Sequence, residues 1–237
     1  MQQTSPAPSI ASGVGRILVA GADAEAFLQG QLTQDVRKAG AEPILAGYCS
    51  PKGRLLAVME MQRGADGITL SIHRSVLEAT VKRLRMFVLR SKVTLTEIDP
   101  LVAADGDHDW RRERIARGVP TIFPSTSDHF VPQMCNLDTL GGISFDKGCY
   151  AGQEIVARLH YRGEAKRRMF RAAIEGDALP GDPVFDAADG SQAAGEIVDA
   201  IDGEALIVLQ LAHADAQLRL QSGAPITQLR RLIPEST

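Results

Sequence analysis

The chain has 237 residues, of which 44% are hydrophobic and 23% charged, with a formal net charge of −3. That is the composition of an ordinary globular protein with one large domain or two small ones; it excludes general disorder, and no apolar run reaches the length that spans a bilayer. Cys49, Cys135 and Cys149 form no close pair and lack zinc or iron–sulfur spacing, so neither a disulfide framework nor a permanently bound metal is expected.

Residues 1–14 begin rich in Ser, Pro and Ala and read as a disordered N-terminus. They lack the apolar core of a signal peptide and the arginines of a transit peptide, which makes the cytoplasm the simplest address. Residues 16–20 read as a strand, and 23–34 as a helix with Ala26, Phe27 and Gly30 on one side. Segments 44–49 and 54–62 read as strands joined by the turn Pro51-Lys52-Gly53, with a third strand, 68–73, after a turn between Gly64 and Gly67. Leu77, Val81, Leu84 and Val88 then recur at the spacing of a helix lying on a sheet, and 92–98 alternates as a strand. This order predicts an α+β domain with ferredoxin-like layers, helices on an antiparallel sheet.

A polar linker follows Asp99-Pro100 and runs through Asp109. Residues 110–117 read as a short basic helix closed by Gly118, and 120–138 as irregular chain. Beyond Gly163 the segments 165–174, 195–201, 205–211, 217–221 and 226–233 read as short strands separated by Gly, Pro and Asp, which predicts a small β-barrel. The expected division is 15–163 for the α+β domain and 164–237 for the barrel.

The most informative stretch runs from Phe145 to Glu154. Cys149 lies between Lys147 and an expected helix start, with apolar residues at helical spacing over 155–159. Helix N–H groups and a nearby ammonium each favour thiolate, so Cys149 and Lys147 are candidates for chemistry; the alternative is a cysteine that is only a small hydrophobe. A Cys149–His160 couple is argued against, because a continuous helix separates the two by roughly 16 Å. Charge is uneven. Lys147, Arg158, Arg162, Lys166, Arg167, Arg168 and Arg171 face only Glu154 and Glu164 in their segment, and Lys82, Arg83, Arg85, Arg90 and Lys92 form a second basic cluster. Either cluster is an anion-binding face or solvated surface. The negative net charge and scarce aromatics argue against nucleic acid as a partner. No nucleophile elbow, phosphate loop or dinucleotide fingerprint is present.

Lys147-Gly148-Cys149-Tyr150-Ala151-Gly152-Gln153-Glu154 resembles the signature of the YgfZ-type folate-binding proteins. These are relatives of the aminomethyltransferase (T-protein) of the glycine cleavage system and are associated with assembly or repair of certain iron–sulfur proteins. Three further blocks are similar to that family in the same order: Gly21 to Ala24 with Phe27 to Val36; Tyr48 to Arg54; and Phe130 to Gln133 with Asn136-Leu137. The resemblance implies a folate-binding module followed by a β-barrel, tetrahydrofolate as cofactor, iron–sulfur client or assembly proteins as partners, and no membrane.

Candidate folate residues are Gln31, Thr33 and Asp35, where an amide and a carboxylate can match a pterin's donor–acceptor pattern or simply cap a helix. Lys52 and Arg54 flank a turn and can bind carboxylates or be plain surface charge. Gln153, Glu154 and Arg158 belong to the signature helix, where Glu154 and Arg158 are also spaced as an ordinary i,i+4 pair. One departure stands out: between the blocks ending at Val93 and starting at Pro132, full-length relatives are much longer. The rival reading is an authentic aminomethyltransferase. That enzyme carries an acidic pair where this chain has Ala57 and Val58, with Glu60 as the nearest carboxylate and on the face of Val58.

Overall fold

The computed structural model describes residues 13–98, 107–163 and 165–232. The expected linker over 99–106, nearly all of the expected N-terminal disorder, Glu164 and Ile233 lie outside the described residues. The first layer is a five-stranded antiparallel sheet, in the order β2 (Ile44–Cys49), β3 (Leu55–Gly64), β4 (Gly67–His73), β1 (Val14–Ala20), β5 (Thr94–Glu97). Helices α1 (Ala24–Gln29) and α2 (Leu77–Val88) cover one face. The apolar stripe predicted for α2 does the covering: Leu77, Val81 and Leu84 are buried against Ile17, Val19, Met59, Met61 and Leu70. On the other face Cys49, Leu55 and Val58 enter a second core, shared with the irregular chain over 119–137 and with the barrel. The ladder shifts register between Tyr48 and Cys49, the kind of irregularity that changes which side chain meets which face.

The first helix is shorter than its sequence pattern. It ends at Gln29, buries Ala24, Phe27 and Leu28, and leaves Ala26 exposed. Beyond Gly30 the chain is drawn to the sheet instead: Thr33 N donates to Gly47 O at 2.9 Å and Leu32 bridges to Tyr48. Sheet pairing offers these backbone groups partners that one more helical turn would not supply better.

The C-terminal strands β6 (Arg167–Ile174), β7 (Pro183–Asp186), β8 (Ala193–Ile201), β9 (Glu204–Gln210), β10 (Leu218–Leu220) and β11 (Pro225–Arg231) close into a barrel in the order β10-β11-β6-β9-β8-β7. Closure leaves no free sheet edge. Strand β7 escaped the sequence pattern because it has only four residues and begins at a proline, yet it completes the ring by pairing with β8 and β10.

Helix α3 (His108–Arg117), two residues longer at its start than predicted and capped by left-handed Gly118, ties sheet to barrel through two arginines. Arg114 is buried. It donates to Glu60 of β3 at 3.2 Å, to Thr121 Oγ1 at 3.2 Å and to Pro120 O at 2.6 Å, and lies over the Trp110 ring. Arg111 reaches the other way, holding Asp199 Oδ1 of β8 through Nε at 3.1 Å and Nη2 at 2.6 Å. Asp199 is fully buried, and burial raises its pKa against the pull of Arg111. Removing one partner of such a pair strands a charge in the interior. Arg111→Ala is therefore expected to lose about 3–5 kcal/mol of unfolding free energy. The Arg111→Ala, Asp199→Ala double variant should recover most of it in denaturant titrations; losses that simply add would contradict this account.

Candidate functional site

Segments distant in sequence meet beside the end of β2. Thr33 Oγ1 donates to Gly142 O at 2.6 Å and accepts from Gly47 N at 2.7 Å, while its carbonyl accepts from Ser144 N at 3.0 Å. Gln34 Nε2 donates to Gly141 O. These contacts fasten residues 31–35 to the approach of the signature.

The hairpin turn closes through Ser50 N to Arg54 O (2.8 Å) and Gly53 N to Ser50 O (2.9 Å). It receives the start of α4 (Gln153–Arg162) at van der Waals range. A Cβ built on Gly152, whose φ is +80°, would lie 2.4 Å from Ser50 O and 2.6 Å from Gly53 Cα. Only glycine fits there. The block before the signature holds it from beneath: Gln133 Nε2 donates to Val156 O of α4 at 2.7 Å, and Asn136 Nδ2 to Met169 O of β6 at 2.8 Å.

Several residues expected to bind ligand are occupied by the protein itself. Thr33 is fully buried with both roles of its hydroxyl used. Asp35 caps the 3-10 turn Val36–Lys38 and accepts from Arg37 Nη2 at 2.6 Å, Arg37 Nε at 2.9 Å and Gln29 Nε2 at 3.1 Å; the Arg37 guanidinium holds its carboxyl well below the usual carboxylate range. Arg54 is turned to His129 O. Lys147, 7% exposed, donates to Leu32 O at 2.6 Å and Gln34 O at 3.0 Å and lies over the Tyr150 ring. Its ammonium is spent on those carbonyls. The helix expected beside Cys149 starts four residues later, at Gln153, so the thiol stands outside the first turn. Cys149 is nevertheless the one exposed cysteine of the three; burial pushes the Cys49 thiol up to about 12 and Cys135 higher still.

Other groups are open to a ligand. Lys52 is exposed at the tip of the turn, Gln153 is half-buried, and Glu154 and Arg158 are exposed without forming an ion pair with each other. Gln31 Oε1 and Gln133 Oε1 are buried and have no hydrogen-bond partner, while the buried Tyr48 Oη faces the Arg83 side chain of α2. Tyr48 and Gln133 lie inside the family-like blocks, yet neither is among the polar site groups that the sequence suggests. The available signal was a tyrosine in an otherwise apolar strand, whose hydroxyl needs a partner when buried. The buried Gln31 Oε1 and Gln133 Oε1 are therefore stranded acceptors, whereas the side chains of Thr33 and Asp35 are satisfied by the protein.

Burial is the main reason that the Lys147 ammonium drops to about 8, with Asp35 opposing it. The native protein then releases a proton that the unfolded chain keeps up to about pH 10.5. The unfolded state binds more protons across that window, so stability rises with pH from about 8 upward. The difference in unfolding free energy between wild type and Lys147→Gln should therefore shift in favour of wild type by roughly 2–4 kcal/mol between pH 7 and pH 10.5. A difference independent of pH would show that the amine titrates alike in both states.

No family model matches the chain. An uncharacterized protein of Haemophilus influenzae is 34% identical over 192 residues, covering 65% of this chain and 69% of that protein. Proteins named tRNA-modifying protein YgfZ, from an Enterobacter species and from Escherichia coli, are 28% identical over 228 residues, covering 68% of this chain and 70% of theirs. Those alignments are longer than the part of this chain that they take in, so they run through gaps in this chain. Among solved structures, the glycine cleavage system aminomethyltransferase T from Bartonella henselae superposes with a TM-score of 0.65 at 11% identity, covering 92% of this chain and 82% of that one. The α+β layers followed by a barrel are thus the aminomethyltransferase fold, and the chain belongs to the YgfZ family.

Proposed function

We propose that this protein is a tetrahydrofolate-binding accessory factor that supports assembly or repair of selected iron–sulfur proteins, with Cys149 as its chemical centre. The observation that carries the folate part is the convergence of the four blocks on the aminomethyltransferase fold, with the buried Gln31 Oε1 left unpaired among them. The thiol part rests on exposure: Cys149 is the cysteine a client or small sulfur or iron species can reach. Lys52, Gln153, Glu154 and Arg158 are the remaining polar groups available to the glutamate end of a folate or to its ring. The YgfZ relatives carry tRNA modification in their name, and we place the client reaction there too. The two units we propose to work together divide near residue 164, and their compartment is the cytoplasm.

One-carbon transfer is the weaker reading. Ala57 and Val58 offer no acid, and Glu60 is paired with the buried Arg114 at 3.2 Å, leaving it neither free nor near Gln31's side of the sheet.

Anaerobic calorimetry tests the first half. Tetrahydrofolate should bind the wild type, and Gln31→Ala should weaken binding about tenfold, the scale of one lost buried hydrogen bond. No binding at millimolar folate would remove folate from the assignment. For the second half, Cys149→Ser should keep its fold and its folate affinity but fail to restore modified nucleosides to the tRNA of a strain lacking the gene. Full rescue by that variant would make the cysteine structural.

A further inference from the structure

Helix α4 carries an exposed face of which the folate reading uses only Glu154 and Arg158. Phe145, half-buried against the second core, is stacked on His160 with ring centroids 3.6 Å apart and planes within 10°. His160 is exposed, so this two-ring column is rooted in the core at one end and open to solvent at the other. Tyr161, 66% exposed, stands edge-on to both rings. A groove of about 270 Å³ runs beside it, lined by Glu154, Ala157, Arg158, Tyr161 and Arg162.

Arg37, Arg63, Arg111, Arg114, Arg117, Arg168 and Arg171 each hold a carboxylate. Arg158, Arg162, Lys166 and Arg167 are all exposed, and none has an ion-pair partner among the described residues. Among the described residues Glu154 is the sole acid lining the groove. Cations without an ion-pair partner among the described residues, beside exposed rings, are the two components of a single-strand binding surface: phosphates along the groove, bases on the rings. An acidic peptide would satisfy the cations but leave the open end of the stack without a partner.

We propose that the exposed face of α4 binds a single-stranded segment of nucleic acid, with a base continuing the Phe145–His160 stack or lying on Tyr161, and with Arg158, Arg162, Lys166 and Arg167 on its phosphates. The chain's scarce aromatics and negative net charge argued the other way. Three of its rings are gathered at one basic helix, and the net charge does not describe that surface. The proposal stands on this geometry alone and does not require folate binding.

Fluorescence anisotropy with a labelled RNA of about twelve nucleotides, the same sequence as DNA, and a polyglutamate competitor of equal charge tests it on the full chain. Micromolar binding in about 50 mM salt is expected, with a log–log salt slope near −3 for about four phosphates. The RNA and DNA arms identify which strand is preferred. Tyr161→Ala should weaken binding about tenfold while leaving the slope and the tetrahydrofolate affinity unchanged. Arg158→Glu with Arg162→Glu should abolish binding, with an unaltered circular dichroism spectrum. The proposal is overturned by absence of binding at about 100 µM protein in low salt. It is equally overturned if Tyr161→Ala binds like wild type, or if polyglutamate competes as well as unlabelled RNA, which would make the face a site for acidic protein.

Discussion

The arrangement of the whole central region depends on two main chains pressed together at Gly53 and Gly152. The hairpin between β2 and β3 and the entry to α4 approach so closely that a methyl group on Gly152 would sit 2.4 Å from a carbonyl oxygen, and both residues have positive φ, +68° and +80°. Side chains can repack around a neighbour; two backbones cannot. The contact therefore fixes where α4 begins relative to the sheet. Gln133 then finds the Val156 carbonyl from below, and Ile155 packs over the turn, where a Cβ on Gly53 would meet it at 2.8 Å.

Lys147 completes the fixation by a different means. A buried ammonium is costly unless its donors are met, and here two carbonyls from the chain after α1 and the face of Tyr150 meet them. With Thr33 and Gln34 reaching back to Gly142 and Gly141, the segments are interlocked in both directions. A consequence is a division of labour within the blocks. The residues with the strongest polar chemistry, Lys147, Asp35 and Thr33, hold the scaffold. Cys149, Lys52 and Glu154 at the start of α4 are exposed, and Gln31 Oε1 is buried without a hydrogen-bond partner.

Much of the fold was legible because its signals are local. The spacing of Leu77, Val81 and Leu84 needed nothing beyond the hydrophobic effect to become a helix on a sheet, and the glycine- and proline-bounded strands pointed to a barrel. Failures came where a distant partner decided. The end of α1 is set by Gly47, β7 by the need to close a ring, and the orientation of Lys147 by carbonyls more than a hundred residues earlier. The site followed the same rule. Quoted blocks could be seen to belong together, but whether a carboxylate such as Asp35 faces a ligand or Arg37 is a question of side-chain direction. Composition misled in a related way, since a global count of aromatics carries no information on whether Phe145, His160 and Tyr161 are neighbours.

The three cysteines illustrate how burial can sort chemically identical groups. Two are sealed in the second core with thiols held protonated far above neutrality, and one stands in water. A maleimide or iodoacetamide reagent consequently meets a native chain as though it carried a single thiol. The wild-type protein accepts one fluorophore or spin label, at the signature itself, without any cysteine having to be engineered away.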